Sequence, residues 1–131
     1  MWKWVLVVGL LLVASACAEN TITPIAGADA VKAYPAHTRT LRLVLGDLPP
    51  GTDYEVLGKV KAIDGWYGDS VAVERKIADD GRQIDADAII QVKIWFAPRA
   101  FSWAAPHAEG VAVKLQKSDA VDLEKLPGST R

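Results

Sequence analysis

The sequence has only one cysteine and two histidines among its 131 residues. A single thiol cannot form an intrachain disulfide, so no disulfide framework is available to stabilise the fold. Soft metal ions are held by clustered cysteine and histidine side chains, and His37 and His107 lie far apart in the sequence. We therefore predict no metal centre and no cofactor.

An excess of positive charge is also missing. Lysine and arginine number 15 and aspartate and glutamate 16, which gives a net charge of −1. Proteins that bind nucleic acids need a cationic surface that displaces counterions from phosphates, so nucleic acid is not an expected partner. Neither histidine lies in a nucleophile–base motif, and no glycine-rich phosphate loop is present. The sequence therefore predicts that the protein is not an enzyme.

The N-terminal apolar run is too short to span a bilayer. It covers Val5–Ala16, about a dozen residues, whereas a spanning helix needs about 20. It follows the positively charged Lys3 and ends in small residues, which is the pattern of a secretory signal peptide. We interpret residues 1–16 as a signal peptide, and we expect the protein to be exported.

The only cysteine, Cys17, lies directly after this run. The preceding Ala14-Ser15-Ala16 resembles the lipobox of bacterial lipoproteins. In that family a peptidase cuts before a cysteine whose sulfur carries diacylglycerol and whose α-amino group is acylated, for example with palmitate. The resemblance implies that Cys17 is lipidated and tethers the protein to a membrane. Two alternatives are ordinary signal-peptidase cleavage at an A-x-A site and a leftover thiol in an uncleaved anchor.

The residues after Cys17 suggest both a location and a linker. Ala18 stands where an Asp is associated with inner-membrane retention in two-membrane bacteria. By analogy it implies the outer membrane, with the protein facing the periplasm. Residues 17–37 are rich in small residues and contain Pro24 and Pro35, so we predict a flexible linker there.

The segment 38–115 contains two kinds of periodicity. Apolar residues alternate over 41–45 and 54–62, which predicts two strands separated by a turn. A spacing of three to four residues then predicts a helix that begins after Asp69 or Ser70, which can cap it. Its apolar stripe consists of Val73, Ile77, Gly81 and Ile84. Gly81 either allows a close approach of this helix to the sheet or ends the helix, and we prefer the first interpretation.

Alternation resumes after the helix. One run places Ile90, Val92, Ile94 and Phe96 on one face, and a second run covers 111–115. We predict an α+β fold with the order β-β-α-β-β, in which one helix covers one face of a small mixed sheet. The strands flanking the helix should be parallel, and the last two should form an antiparallel hairpin. Residues 116–131 should form a polar tail with one helical turn near 121–126.

Three segments of this domain resemble a known family. They are Gly58-Lys59-Val60, Asp85-Ala86-Asp87-Ala88-Ile89-Ile90 and Gly110-Val111-Ala112-Val113. Their order and spacing are similar to those of the small YbjQ-like and RcsF-like bacterial domain, sometimes labelled heavy-metal-binding. Asp85 stands where that family has glycine. The resemblance implies the fold and a lipid-tethered envelope protein, but the chain lacks the cysteines needed for disulfide-dependent sensing.

Four acidic residues near the end of the helix suggest an alternative function. Asp79, Asp80, Asp85 and Asp87 could bind a metal ion or a small ligand in the periplasm. They alternate with basic residues, which is typical of a solvated surface, and the spacing of a calcium loop is absent. We therefore prefer a surface role for them.

An aromatic cluster provides the candidate interaction surface, which would contact an envelope protein or a membrane. Its members are Trp66, Trp95, Arg99, Phe101 and Trp103. In the alternative interpretation these aromatics only close the open end of the core, with Phe96 pointing inward and Trp95 covering the second sheet face. The sequence does not identify the partner or the oligomeric state.

Overall fold

The computed structural model describes residues 18–23, 35–64, 68–99, 102–117 and 121–131, and these form an α+β fold. A six-stranded mixed sheet is combined with one α-helix in the described residues. In chain order the elements are β1 (Ala18–Thr23), β2 (Arg42–Val44), β3 (Tyr54–Asp64), α1 (Ser70–Gln83), β4 (Ala88–Arg99), β5 (Ser102–Leu115) and β6 (Gly128–Thr130). A short 3-10 turn over Leu123–Lys125 precedes β6, within the segment where a helical turn was predicted.

The strand order in the sheet is β1-β3-β5-β4-β2-β6. β4 and β5 form the predicted antiparallel hairpin, and β3 is antiparallel to β5. β3 and β4 therefore run parallel, as predicted, but β5 lies between them. The only adjacent parallel pair among the described strands is β2 with β4. The simple order β-β-α-β-β is thus incomplete, because β1 and β6 extend the sheet at its two edges.

Helix α1 follows the sequence prediction closely. Asp69 caps it by accepting a hydrogen bond from the backbone N–H of Ala72 at 3.0 Å. Gly81 lies inside the helix and is buried. A Cβ atom at this position would be 3.0 Å from a methyl group of Leu41 and 3.2 Å from one of Ile89. The glycine therefore allows close helix–sheet approach, which confirms its expected role.

The sheet has apolar packing on both faces, which corrects the prediction of a sheet covered on one face. The helix side holds the larger core, which includes Val60, Ile77 and Ile89. A second, smaller core includes Val44, Ile90 and Val113, with Leu123 and Leu126 packed against it. The segments after β2 and before β6 thus supply the cover that the second face would otherwise lack.

Irregular backbone in β4 changes which side chains share a face. Gln91 has a φ of 53°, and the β4–β5 register shifts between Ile90 and Lys93. Because a bulge inserts one residue into the alternation, Ile89 and Val92 pack in the larger core and Ile90 in the smaller one. The prediction that Ile90 and Val92 share a face was wrong for this reason.

Two strands lie where no packed element was predicted. β1 falls inside the predicted flexible linker and pairs with β3 from Ala18–Asp64 to Thr23–Lys59. β6 falls inside the predicted polar tail and pairs with β2. Both predictions were wrong for these residues. Edge strands are held largely by backbone hydrogen bonds, which leave little trace in the side-chain pattern.

Candidate functional site

The β4–β5 hairpin extends beyond the strands beside it. The last pair between β3 and β5 joins Ile63 to His107, whereas β4 and β5 stay paired from Phe96–Pro106 to Arg99–Ser102. We call residues 96–99 and 102–106 the aromatic arm. At about 3.4 Å per residue, its described part continues for about 17 Å beyond the level of His107.

The arm exposes two large aromatic side chains. Trp103 is 82% exposed and Phe96 54% exposed, the first being the most exposed large apolar side chain in the described parts of the chain. A tryptophan that only closed a core would bury most of its ring. Trp103 is therefore available for contact with another surface. Because more than half of Phe96 is exposed as well, the expectation that Phe96 points inward is wrong.

Trp95 lies at the base of the arm and has a structural role. Its ring stacks on His107, with centroids 5.3 Å apart and an interplanar angle of 21°. The Nζ atom of Lys61 lies 6.0 Å from the centroid of the same ring. Ile94 packs against the core on the helix side, so Trp95 covers the opposite face of the sheet. The alternative interpretation of the aromatic cluster thus applies to Trp95.

The pKa of His107 is lowered from its ordinary value. Partial burial of the imidazole is the main cause, and the positive charges of Lys61 and Arg99 act in the same direction. A hydrogen bond to the backbone of Ala97 opposes them. The Nε2 atom is buried and has no hydrogen-bond partner among the described residues. The base of the arm therefore favours the neutral imidazole.

This lowered pKa predicts a pH dependence of stability. Below the ordinary histidine pKa of about 6.5, the unfolded chain binds a proton more readily than the folded protein, so the free energy of unfolding decreases as the pH falls. We expect the urea midpoint to fall less between pH 7 and pH 5 in His107→Phe, which keeps an aromatic ring but cannot titrate. The urea midpoint of each protein should be expressed relative to its own value at pH 8. If the midpoints of the two proteins change with pH in parallel, His107 is not the source of the pH dependence.

The predicted interaction residues fall into two groups. Trp95, Arg99 and Trp103 belong to the hairpin and lie together at one end of it. Trp66, Phe101 and the predicted lipidation site Cys17 lie outside the described residues.

His107 was missed as a partner of Trp95 because the contact depends on the strand register. The hairpin pairs Phe96 with Pro106 and Ala97 with Ala105. Folding the sequence symmetrically about residue 101 would have placed Trp95 opposite His107. That symmetry is the only sequence signal for this contact.

The acidic residues near the helix end already have protein partners. Asp85 lies 2.7 Å from the Nζ atom of Lys114 and 3.2 Å from a guanidinium nitrogen of Arg39. The hydrogen bond from Lys114 is the main reason that the pKa of Asp85 is lowered. Asp87 accepts a hydrogen bond from the backbone N–H of Leu115 at 2.7 Å.

The other two acids do not gather with them. Asp79 pairs with Arg82, and Asp80 is buried in the helix. Within the described ranges, no three acidic, histidine or cysteine residues are grouped as metal ligands would be. These partners favour a structural role for the acids, and ligand binding at the helix end stays a prediction.

Comparison of the chain with families of known proteins, with curated proteins and with solved structures found no match. Among the described residues, no helix is both long and apolar enough to cross a membrane.

Proposed function

We propose that this chain is a lipid-anchored protein of the bacterial cell envelope with a non-catalytic binding or structural role. The observation that carries the proposal is the position of Cys17. It is the only cysteine of the chain and lies where the apolar run ends in Ala14-Ser15-Ala16. A single acyl chain gives only marginal membrane binding, whereas two or more give stable anchoring. Modification of the sulfur and of the new α-amino group would supply that number.

The start of the folded part supports a tether at this position. β1 begins at Ala18, one residue after Cys17, and pairs with β3 from its first residue. Consecutive Cα atoms are about 3.8 Å apart, so a lipid on Cys17 would hold the sheet directly at the membrane surface. With Ala18 as the next residue, the location that we propose is the outer membrane, facing the periplasm.

Relationship to the YbjQ-like domain forms part of the same proposal. Asp85, which stands where that family has glycine, has a φ of 59°. This left-handed conformation favours glycine and is tolerated by aspartate better than by most residues. Gly110 begins the closing motif, and a Cβ atom there would be 2.4 Å from a methyl group of Ile89. Both motif positions therefore have backbone or packing requirements of the kind that glycine meets.

The mass of the N-terminal peptide tests the tether. Protein recovered from the membranes of its own host should yield a peptide that begins at Cys17 and carries the mass of a diacylglyceryl group and an amide-linked acyl chain. A peptide that begins at unmodified Cys17, or at Glu19, in the soluble periplasmic fraction would contradict the proposal. That result would indicate ordinary signal-peptidase cleavage.

Replacing Cys17 with serine should release the protein from the membrane fraction. Serine preserves the size of the side chain but provides no thiol for acylation, so the stable anchor is lost. Fractionation followed by immunodetection measures the change. The matched control is Trp103→Ala, which should remain in the membrane fraction because it leaves the lipid in place. Membrane association of Cys17→Ser equal to that of the unmodified sequence would refute the tether.

A further inference from the structure

The aromatic arm and the attachment point of the N-terminal segment lie at the same end of the sheet. Ala18, the first residue of β1, pairs with Asp64, the last residue of β3. The neighbouring residue of β3, Ile63, pairs with His107 at the base of the arm. β1, β3 and β5 are adjacent, so only about 10 Å separates β1 from β5 across the sheet. Ala18, the residue that follows Cys17 in the sequence, therefore lies at the level from which the arm extends.

The arm reaches farther in this direction than the start of β1. Trp103 is four residues beyond His107 along β5, which corresponds to about 14 Å. The polar layer on each side of a bilayer is only about 5–8 Å thick. A lipid on Cys17 would place the start of β1 at that layer. If the strands lie perpendicular to the membrane plane, Trp103 would then reach through the polar layer. If the sheet is tilted, the arm would lie along that layer.

The exposed side chains of the arm suit a bilayer interface. Tryptophan is enriched where membranes meet water, since its ring is mainly apolar and its indole N–H can donate a hydrogen bond. Phe96 adds a second exposed aromatic ring. Arg99 is at the tip of the arm, and Lys61 is on β3 two residues before Ile63. The carboxylate of Asp64, also at this end of β3, is already paired with Lys76 at 3.6 Å. This end of the sheet thus combines exposed aromatic rings with positive charge, which attracts anionic lipid headgroups.

From these relations we infer that the aromatic arm inserts Trp103 and Phe96 into the interface of the membrane that carries the Cys17 lipid. This inference rests on the proposed function, and it assigns the lipid surface as the partner of the candidate site. The lipid and the arm would form two attachment points at one end of the domain. Together they would fix the orientation of the sheet relative to the membrane.

A vesicle experiment tests the contact without depending on acylation by a host. The mature form that we propose, residues 17–131, in which Cys17 is the only thiol, is coupled to a maleimide-bearing phospholipid. The vesicles contain phosphatidylethanolamine and phosphatidylglycerol, with or without brominated acyl chains that quench tryptophan fluorescence. Subtracting the emission of Trp103→Phe from that of the unmodified sequence isolates Trp103. Phenylalanine keeps an apolar aromatic side chain at this exposed position, so we expect the fold to be unchanged.

The Trp103 emission should be lost in brominated vesicles and should be protected from acrylamide, a quencher confined to water. Tyr54 supplies a matched control because it is an exposed aromatic residue at the opposite end of β3, about 33 Å from Asp64. In a Trp103→Phe background, Tyr54→Trp should show the reverse behaviour. Its emission should be quenched by acrylamide and unaffected by brominated lipid.

Emission of Trp103 that behaves like that of the Tyr54→Trp control would overturn the inference. The arm would then face the aqueous phase, where a protein partner could bind it. If the proposed lipid anchor is wrong, the N-terminal peptide from the host will lack acyl groups. That result does not depend on how Trp103 behaves on vesicles. The two measurements therefore separate the tether from the arm.

Discussion

Replacing Gly110 with valine is expected to leave the domain largely unfolded, and alanine at this position should lower the free energy of unfolding by about 1–3 kcal/mol. Gly110 lies in β5, which has β3 on one side and β4 on the other. A Cβ atom there would be 2.4 Å from Cγ2 of Ile89, 3.2 Å from the backbone oxygen of Ile90 and 3.3 Å from a methyl group of Val92. Two of these neighbours are packed core side chains and the third is backbone, so little relaxation is available.

Urea denaturation followed by circular dichroism measures this effect. Gly46→Ala is the matched control, since nothing lies within 4 Å of a Cβ atom at that glycine. Ile89→Leu removes the Cγ2 methyl group that makes the closest approach. In the Ile89→Leu background, Gly110→Ala should lower the free energy of unfolding by less than it does in the unmodified sequence. The difference is a favourable coupling energy between the two substitutions. Equal losses for Gly110→Ala and Gly46→Ala would show that the central strand can accommodate the added methyl group.

Replacing Arg131 with methionine is expected to lower the free energy of unfolding by about 2–4 kcal/mol, because the buried carboxylate of Glu74 loses its cationic partner. Glu74 is on α1 and is only 7% exposed. It accepts a hydrogen bond from Nε of Arg131 at 2.9 Å and one from the hydroxyl of Ser129 at 2.7 Å. The backbone of Arg131 also exchanges two hydrogen bonds with Leu41, at 2.7 and 3.0 Å. The ion pair thus fastens the C-terminal residue to the helix, and its backbone hydrogen bonds fasten it to Leu41, which precedes β2.

Lys125→Met serves as the control for this prediction. Lys125 pairs with Asp122 at 3.5 Å, but both side chains are largely exposed, and exposed pairs contribute about 0–1 kcal/mol. The double variant Glu74→Gln, Arg131→Met should lose less than the sum of the single changes, since neither charge then remains buried alone. Hydrogen exchange at Leu41 should accelerate in Arg131→Met. Unchanged exchange would mean that β6 stays in place without the ion pair.

The candidate site combines residues that sequence patterns identify with contacts that only the fold produces. Trp95 and Trp103 stand out in the sequence as members of an aromatic cluster around a predicted hairpin. The strand that contains Trp103 was predicted only over 111–115, whereas β5 begins at Ser102. Their separation into a stacked ring and an exposed ring depends on strand pairing. Trp95 meets His107 across the β4–β5 ladder, whereas Trp103 lies farther along the arm and remains 82% exposed.

The sequence by itself determined the elements whose signals are local. The capping residue and the spaced apolar residues specify α1, and alternation specifies the parts of β4 and β5 over 90–96 and 111–115, because both periodicities reflect backbone geometry within one segment. The position of Cys17 after an apolar run is likewise a linear signal.

Only the tertiary structure decided the order of the strands, the two edge strands and the second core. β6 consists of Gly128, Ser129 and Thr130, and the apolar residue among 21–23 of β1 is the partly buried Ile22. The place of both strands depends on backbone groups left unpaired by β3 and β2. The bulge at Gln91 moves Ile90 to the second face, where Leu123 and Leu126 cover it. Such choices are made by hydrogen bonding and packing between segments distant in the chain, which periodicity within a single segment does not encode.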